Sequence, residues 1–365
     1  MPTLEDFLPD LPPLNAQFLN DYCDNYQSVF SSSRDFNAFR ALHFGMVSEL
    51  ERKYISDIAK TIKLASYKSL LQLINGLAWS TVTLRQCRLA LILKMLSQRS
   101  IRLVIEELGI PKKGKRTDYV TRQYMGNLNR KENGIIVLVV YGVSEETIFP
   151  FPITFQVFKP RERLKPGEQF KSKTQLAIEI VEYLTELGFN IETVLVDGFH
   201  GEDQATCLQV LEEELRSNYV LTVSCRNQGW LSWRQVSWED HWIELSDANS
   251  RNLFIRDGYI EEGKLRCWQV SRTYRDLYFE DSSWSLITNV SDITYQKAFY
   301  FYLLREWIDC ETNSLSDWLG WSDFQMKNFA QIERWWEISM STHLMLSLYP
   351  DYAQQPSKSD ALDCK

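Results

Sequence analysis

"TVLVDGFHGED", residues 193–203, is a short apolar run that ends in an aspartate and a glycine-containing turn. Its unbroken apolar character marks a strand covered on both faces, the kind found inside α/β sheets. The segment before it, "SKTQLAIEIVEYLTELG" (172–188), opens on a capping serine and carries apolar residues at helical spacing. A second helical pattern follows at 202–216, and then another strand, "YVLTVSC" (219–225). Upstream lie three β-type runs: "IRLVIEELG" (101–109), "GIIVLVVYGVS" (134–144) and "TIFPFPITFQVF" (147–158). A loop rich in basic and turn residues, "IPKKGKRTDYVTRQYMGNLNRKEN" (110–133), separates the first two.

Three strands, helix, strand, helix, strand is the order of an RNase H-like mixed sheet, so the expected class is α/β. Residues 1–100 read as an all-helical N-terminal domain. Apolar positions recur every three or four residues in "DFNAFRALHFGMVSELERKYISDIAKTIK" (35–63), and "STVTLRQCRLALILKMLSQ" (80–98) begins with cap residues. The sheet domain then spans 101–225 and resumes over 284–349 with strand "WSLITNV", a helix at 294–311 and a last helix near 328–349. Between them, 226–283 reads as a β-rich insertion containing tryptophans, and 350–365 as a disordered tail.

Composition narrows the function classes. With 365 residues, 44% hydrophobic and 13% aromatic, the chain is a folded protein large enough for two domains or one domain with an insertion. Its acidic, proline-broken start lacks the basic-then-apolar order of a signal peptide, and its longest apolar runs, 135–143 and 89–93, are far short of a bilayer span. A cytoplasmic protein with no membrane role is expected. Seven scattered cysteines without a C-x-x-C pair indicate neither a disulfide framework nor a zinc site, and four histidines lack H-x-x-x-H spacing. Any bound metal must therefore be held by carboxylates.

The net charge of −8 hides a basic island: residues 101–175 hold fourteen Lys or Arg against eight Asp or Glu, a balance of +6 that leaves −14 for the remainder. A concentrated basic face is the footprint expected for a phosphate backbone, and Lys112, Lys113, Lys115, Arg116 and Arg122 are the candidate DNA contacts. "GIPKKGKR" (109–116) nearly spells a phosphate-cradling loop, but Arg116 stands where a magnesium-binding hydroxyl belongs and no helix pattern opens after it. In the insertion, Trp230, Trp233, Trp238 and Trp242 suit a small core, or stacking on an unpaired base. His200, near Asp197, reads as a turn residue.

Phosphoryl transfer on DNA calls for two divalent cations held by carboxylates brought together from separate elements. The first strand ends in Glu106 and Glu107, the fourth in Asp197, and the late helix carries Asp309. Tyr302, Arg305 and Asp309 lie three and four residues apart, on one helical face.

These residues carry a resemblance. The chain resembles the DDE transposases of bacterial insertion sequences, the branch whose third acid lies in a Tyr-x-x-Arg-x-x-x-Glu helix. "LVIEELGIPKKGKRTDYVTRQYMGNL" is similar to that family's first-acid strand and basic loop, "VLVDGFHGED" to its second-acid strand, and "LGWSDFQMKNFAQIERWW" to its final segment. The similarity runs from about residue 36 to 349. Where the family has Asp-Asp-Thr, this chain has Glu106-Glu107-Leu108, and Asp309 replaces the final Glu.

The resemblance implies an insertion-sequence transposase, its helical N-terminal domain (1–100) a DNA-binding domain, that binds transposon ends and cuts and joins DNA strands, in a bacterial cytoplasm and at the nucleoid. Glu107, or alternatively Glu106, would hold two Mg²⁺ or Mn²⁺ with Asp197 and Asp309. Tyr302 and Arg305 would position the DNA backbone, and a homodimer would act on double-stranded DNA. The alternative is a relative that binds DNA without cleaving it.

Overall fold

In a computed structural model, the described residues are 15–76, 78–144, 150–199, 202, 204–224, 236–239, 241–246, 252–260, 265–272 and 284–353. Among these residues five α-helices come first: α1 (Ala16–Asp24), α2 (Ser33–Met46), α3 (Ile55–Ile62), α4 (Tyr67–Asn75) and α5 (Thr81–Leu96). Asn15, Ser32, Ser66 and Ser80 cap four of them, each side-chain oxygen accepting an otherwise unsatisfied backbone N–H of the first turn. The sheet begins with β1 (Ser100–Pro111), β2 (Thr121–Met125), β3 (Arg130–Val143) and β4 (Phe151–Val157). Helix α6 (Lys173–Glu186), strand β5 (Asn190–Asp197), helix α7 (Gln204–Glu214) and strand β6 (Tyr219–Ser224) follow. Then come β7 (Val236–Trp238), β8 (Ile243–Ser246), β9 (Asn252–Ile260), β10 (Leu265–Ser271) and β11 (Trp284–Thr288), and finally α8 (Tyr295–Trp318) and α9 (Phe329–Ala353).

The core strands lie in the order β4–β3–β1–β5–β6, with β3 antiparallel to β1 and β5 and β6 parallel to it. This is the RNase H-like mixed sheet expected from the element order. The 110–133 stretch, read as loop, contains β2, which pairs with the first residues of β3 beside β4 on the same edge. Gly134 makes that crossing possible: it is opposite Thr121 on one side and Pro111 on the other, and a Cβ there would collide with the Ile110 carbonyl.

Two features depart from separate modules in series. The 226–283 stretch does not stand apart: β11 pairs with β6, β10 with β11 and β9 with β10, so its strands prolong the central sheet. The last helix, α9, packs against β4 and against α1, α2, α4 and α5, and so supplies the centre of the N-terminal helical layer. It also runs past residue 350 to Ala353, while 354–365 lie outside the described residues. The sequence "RWW" forms part of this joint: Trp335 and Trp336 are buried, and Trp336 stacks on Trp321 at 5.6 Å with its edge toward Phe155.

Buried polar groups fasten α9 to the first helices. Glu337, fully buried, accepts from Arg85 Nε at 2.5 Å and Arg88 Nη2 at 3.1 Å, and Arg88 also donates to the Ile153 carbonyl of β4. His43 is enclosed between the Phe39 carbonyl and the Ser341 hydroxyl, each at 3.0 Å. No helix among the described residues is long and apolar enough to cross a membrane, and Cys23 and Cys87 are free thiols.

Burial depresses the His43 pKa from 6.5 to about 4, the Phe39 carbonyl opposing weakly. The unfolded chain therefore binds a proton that the folded chain refuses, and the helical layer loses stability as pH falls from 6.5 toward 4, by roughly 1.4 kcal/mol per pH unit. Urea unfolding across that range is expected to show this slope in the wild type and a shallower one in His43→Gln; identical slopes would remove His43 from the account.

Candidate active site

Side chains alternate across a strand, so adjacent residues of β1 face opposite sides of the sheet. The parallel register sets Ile105 opposite Val196, which brings Glu106 alongside Asp197 at the end of β5. Helix α8 packs over β1 and β5 on that same face and delivers Arg305 and Asp309. Asp197 is buried, its Oδ1 accepting from the Thr222 hydroxyl at 3.1 Å and lying 3.5 Å from Arg305 Nη2. Glu106 is 3% exposed, and its Oε1 has no hydrogen-bond partner among the described residues. Burial first, and then the charges of Asp197, Asp309 and Glu107, push its carboxyl well above the usual range, while Arg305 opposes them. Burial works against the Arg305 guanidinium, but Asp197, Glu106 and Asp309 outweigh it and hold its pKa above the usual value. That guanidinium also stacks on Trp284, 3.7 Å from the ring centroid.

Glu107, expected as the first acid, points to the other face. There its Oε2 accepts from Lys173 Nζ, at the start of α6, at 2.7 Å, both side chains buried. Glu202 caps the same helix, accepting from the Lys173 and Thr174 backbone N–H groups. The geometry brings Glu106, Asp197 and Asp309 toward one another and leaves Glu107 in a structural ion pair. Among the described residues no three acidic, histidine or cysteine side chains are drawn together as a metal-binding group. Glu106 and Asp197 are carboxylates of the kind hard divalent cations take as ligands, one Glu106 oxygen is buried and unsatisfied, and Arg305 supplies positive charge in the same place.

The other expected contacts divide. Tyr302 is buried, its hydroxyl donating at 2.5 Å to Glu306, which also pairs with Arg272 at the end of β10. It therefore ties the β-rich strands to α8 and is not turned toward a ligand. Glu306 escaped the sequence reading, although its four-residue spacing from Tyr302 was a readable signal. Lys112 is also withdrawn from any DNA surface: its Nζ donates to the Ser322 and Phe324 carbonyls at 2.7 and 3.1 Å and sits over the Phe324 ring, and burial lowers its pKa to about 8. Lys113, Lys115, Arg116 and Arg122 are exposed. Trp238 and Trp242 enclose the Arg256 guanidinium at 4.8 and 4.9 Å, as befits a small core, whereas Trp230, Trp233 and His200 lie outside the described residues.

Opposite faces make opposite stability effects. Glu107→Gln strands the buried Lys173 ammonium and is expected to cost about 3–5 kcal/mol. Glu106→Gln replaces a carboxyl whose charge is already opposed by burial and acidic neighbours, and is expected to leave thermal stability unchanged or raised. Equal losses in the two variants, measured by thermal unfolding, would contradict this placement.

Comparison with known proteins follows the same residues. The family model for the DDE superfamily endonucleases matches residues 26–245, from the first helices through Asp197 to β8. Over 323 residues the chain is 36% identical to the probable transposase for insertion sequence element IS701 of Microchaete diplosiphon, an overlap of 87% of this chain and 84% of that relative. With an RNase H-like sheet that sets acids from β1, β5 and a late helix on one face, and with likeness along most of its length, the chain belongs to the DDE superfamily of endonucleases, on its insertion-sequence transposase branch.

Proposed function

We propose that this chain is the transposase of an insertion sequence, which binds the two ends of its element and cuts and rejoins DNA strands there. The observation that carries the reading is that Glu106, Asp197 and Asp309 lie on one face of the sheet within the electrostatic reach of Arg305, which pairs with Asp197. Members of the superfamily generally use divalent metal ions. Glu106, Asp197 and Asp309 are the residues that would hold Mg²⁺ or Mn²⁺ here, with Glu106 in the role first given to Glu107. Two such ions, when bound, polarise the scissile phosphate and stabilise the attacking and leaving oxygens.

The chain's own groups do the rest. Thr222 orients the Asp197 carboxylate, and Trp284 fixes the plane of the Arg305 guanidinium. Arg305 balances the buried carboxylates while substrate is absent. Its planar fork of donors suits a phosphate oxygen, so it can exchange a carboxylate for the DNA backbone without leaving its stack. The β1–β2 loop offers Lys113, Lys115 and Arg116, and β2 offers Arg122, to the backbone. Cutting two ends together calls for two active sites, hence a homodimer on DNA.

The acids differ from the family pattern in a reciprocal way: Glu106 is one methylene longer than aspartate, and Asp309 one methylene shorter than glutamate. Since both face the same space, the longer arm on the strand offsets the shorter arm on the helix. Nicking of DNA carrying the element's own ends, in Mg²⁺ or Mn²⁺, is expected from the wild type and is expected to fall at least 100-fold in Asp197→Asn with duplex binding retained. Single exchanges Glu106→Asp and Asp309→Glu should each slow cleavage more than the double exchange does. Undiminished nicking by Asp197→Asn would end the assignment, and cleavage by the double exchange alone would mean that the present acids no longer work.

A further inference from the structure

The connection from β4 to α6, residues 159–171, was not among the sequence-derived contacts, yet the structure fastens it to the basic β1–β2 loop. Arg163 donates to the Lys115 and Thr117 carbonyls at 3.0 and 3.1 Å. Lys165 pairs with Asp118 at 2.6 Å, and Asp118 also accepts the first backbone N–H of α9. Glu168 accepts from Lys159 at 2.7 Å and from the Tyr119 hydroxyl at 2.6 Å, and Glu162 from the Thr121 hydroxyl at 2.7 Å. Residues 112–122 and 159–171 together carry ten Lys or Arg and only three Asp or Glu. All three acids, Asp118, Glu162 and Glu168, are used in these internal contacts. What remains outward is positive: Lys113, Lys115, Arg116, Arg122 and Arg161 are exposed and make no ion pair with a described residue. Arg161 is held in place by its own stack, 3.7 Å above the Phe170 ring.

We infer that the two segments form one preassembled face for the phosphate backbone of duplex DNA, with Arg161 as a phosphate contact. The partner follows from the geometry and rests on the acids being a DNA-cleaving site. From Glu106 to the end of β1 at Pro111 is five residues, about 17 Å of strand. At about 3.4 Å per base pair, a duplex lying with one phosphate at the acids meets the basic face roughly five base pairs away. A polyanion with evenly spaced charges and a stiff axis matches unpaired cations on two loops locked together. An acidic peptide offers no such spacing.

The experiment is the salt dependence of binding, measured by fluorescence anisotropy with the full chain and a labelled duplex between 50 and 200 mM NaCl. Each phosphate contact contributes about 0.9 to the slope of log K against log salt. Arg161→Gln is expected to reduce the slope by about one and to weaken binding alike for element-end and unrelated duplexes. Arg161→Lys, which keeps the charge, should retain the slope. Lys171→Gln, at an exposed cation already paired with Glu179, should leave it unchanged. A wild-type slope in Arg161→Gln, or an equal loss in Lys171→Gln, overturns the inference. If Arg161→Gln keeps the slope while Asp197→Asn loses cleavage, this face is wrong and the transposase reading stands. If Asp197→Asn cleaves normally while the slope shifts as stated, the face stands and the acids are misread. No duplex binding by the wild type overturns both.

Discussion

Carboxylates brought together out of water cannot all ionise unless a cation shares their space. That constraint organises the centre of this protein. The parallel pairing of β1 with β5 forces Glu106 and Asp197 side by side, and α8 adds Asp309 above them. Arg305 answers the accumulated charge, and it is held there by Trp284 beneath it. The β-rich strands are bound into the same arrangement, because Trp284 opens β11 and Arg272 closes on Glu306 one turn from Tyr302. The acid cluster therefore depends on strands well away from it in sequence.

Much of this was legible from residue order. The alternation of strand and helix patterns gave the RNase H-like core, and the resemblance placed acids on its first strand, fourth strand and late helix. Which of Glu106 and Glu107 faces the cluster was not legible. Strand parity makes them opposites, but parity becomes an assignment only when it is known which face α8 covers. Lys173, the partner that takes Glu107, sits 66 residues away, and nothing in the spacing announces the pair. Lys112 was misread for a similar reason: in sequence it belongs to a basic cluster, and only the fold shows the carbonyls of 322 and 324 around it. Charge count cannot tell a cation facing solvent from one that donates inward.

Pairing between distant segments was also hidden. Changes of texture along the chain separated a helical part, a sheet and an insertion. Texture does not reveal that β11 extends the sheet through β6, or that α9 returns to the first helices. The charged network of Arg85, Arg88, Glu333 and Glu337 makes that return costly to undo, since removing one partner strands another in the dry interior.

The position of α9 has a consequence for how the molecule is made. The contacts that complete the N-terminal layer join residues far apart in the chain: Arg88 to Glu337 across 249 residues, His43 to Ser341 across 298. While the chain is being synthesised, α1 to α5 wait with an uncovered apolar surface until α9 emerges. The strands from β1 to β6 are synthesised earlier, and β4 is one of the surfaces on which α9 then packs. The helical layer is thus completed only through contacts of high sequence separation, between the two ends of the chain. A protein built this way keeps both ends of its chain in one layer, so a truncation at either end removes part of the same packing.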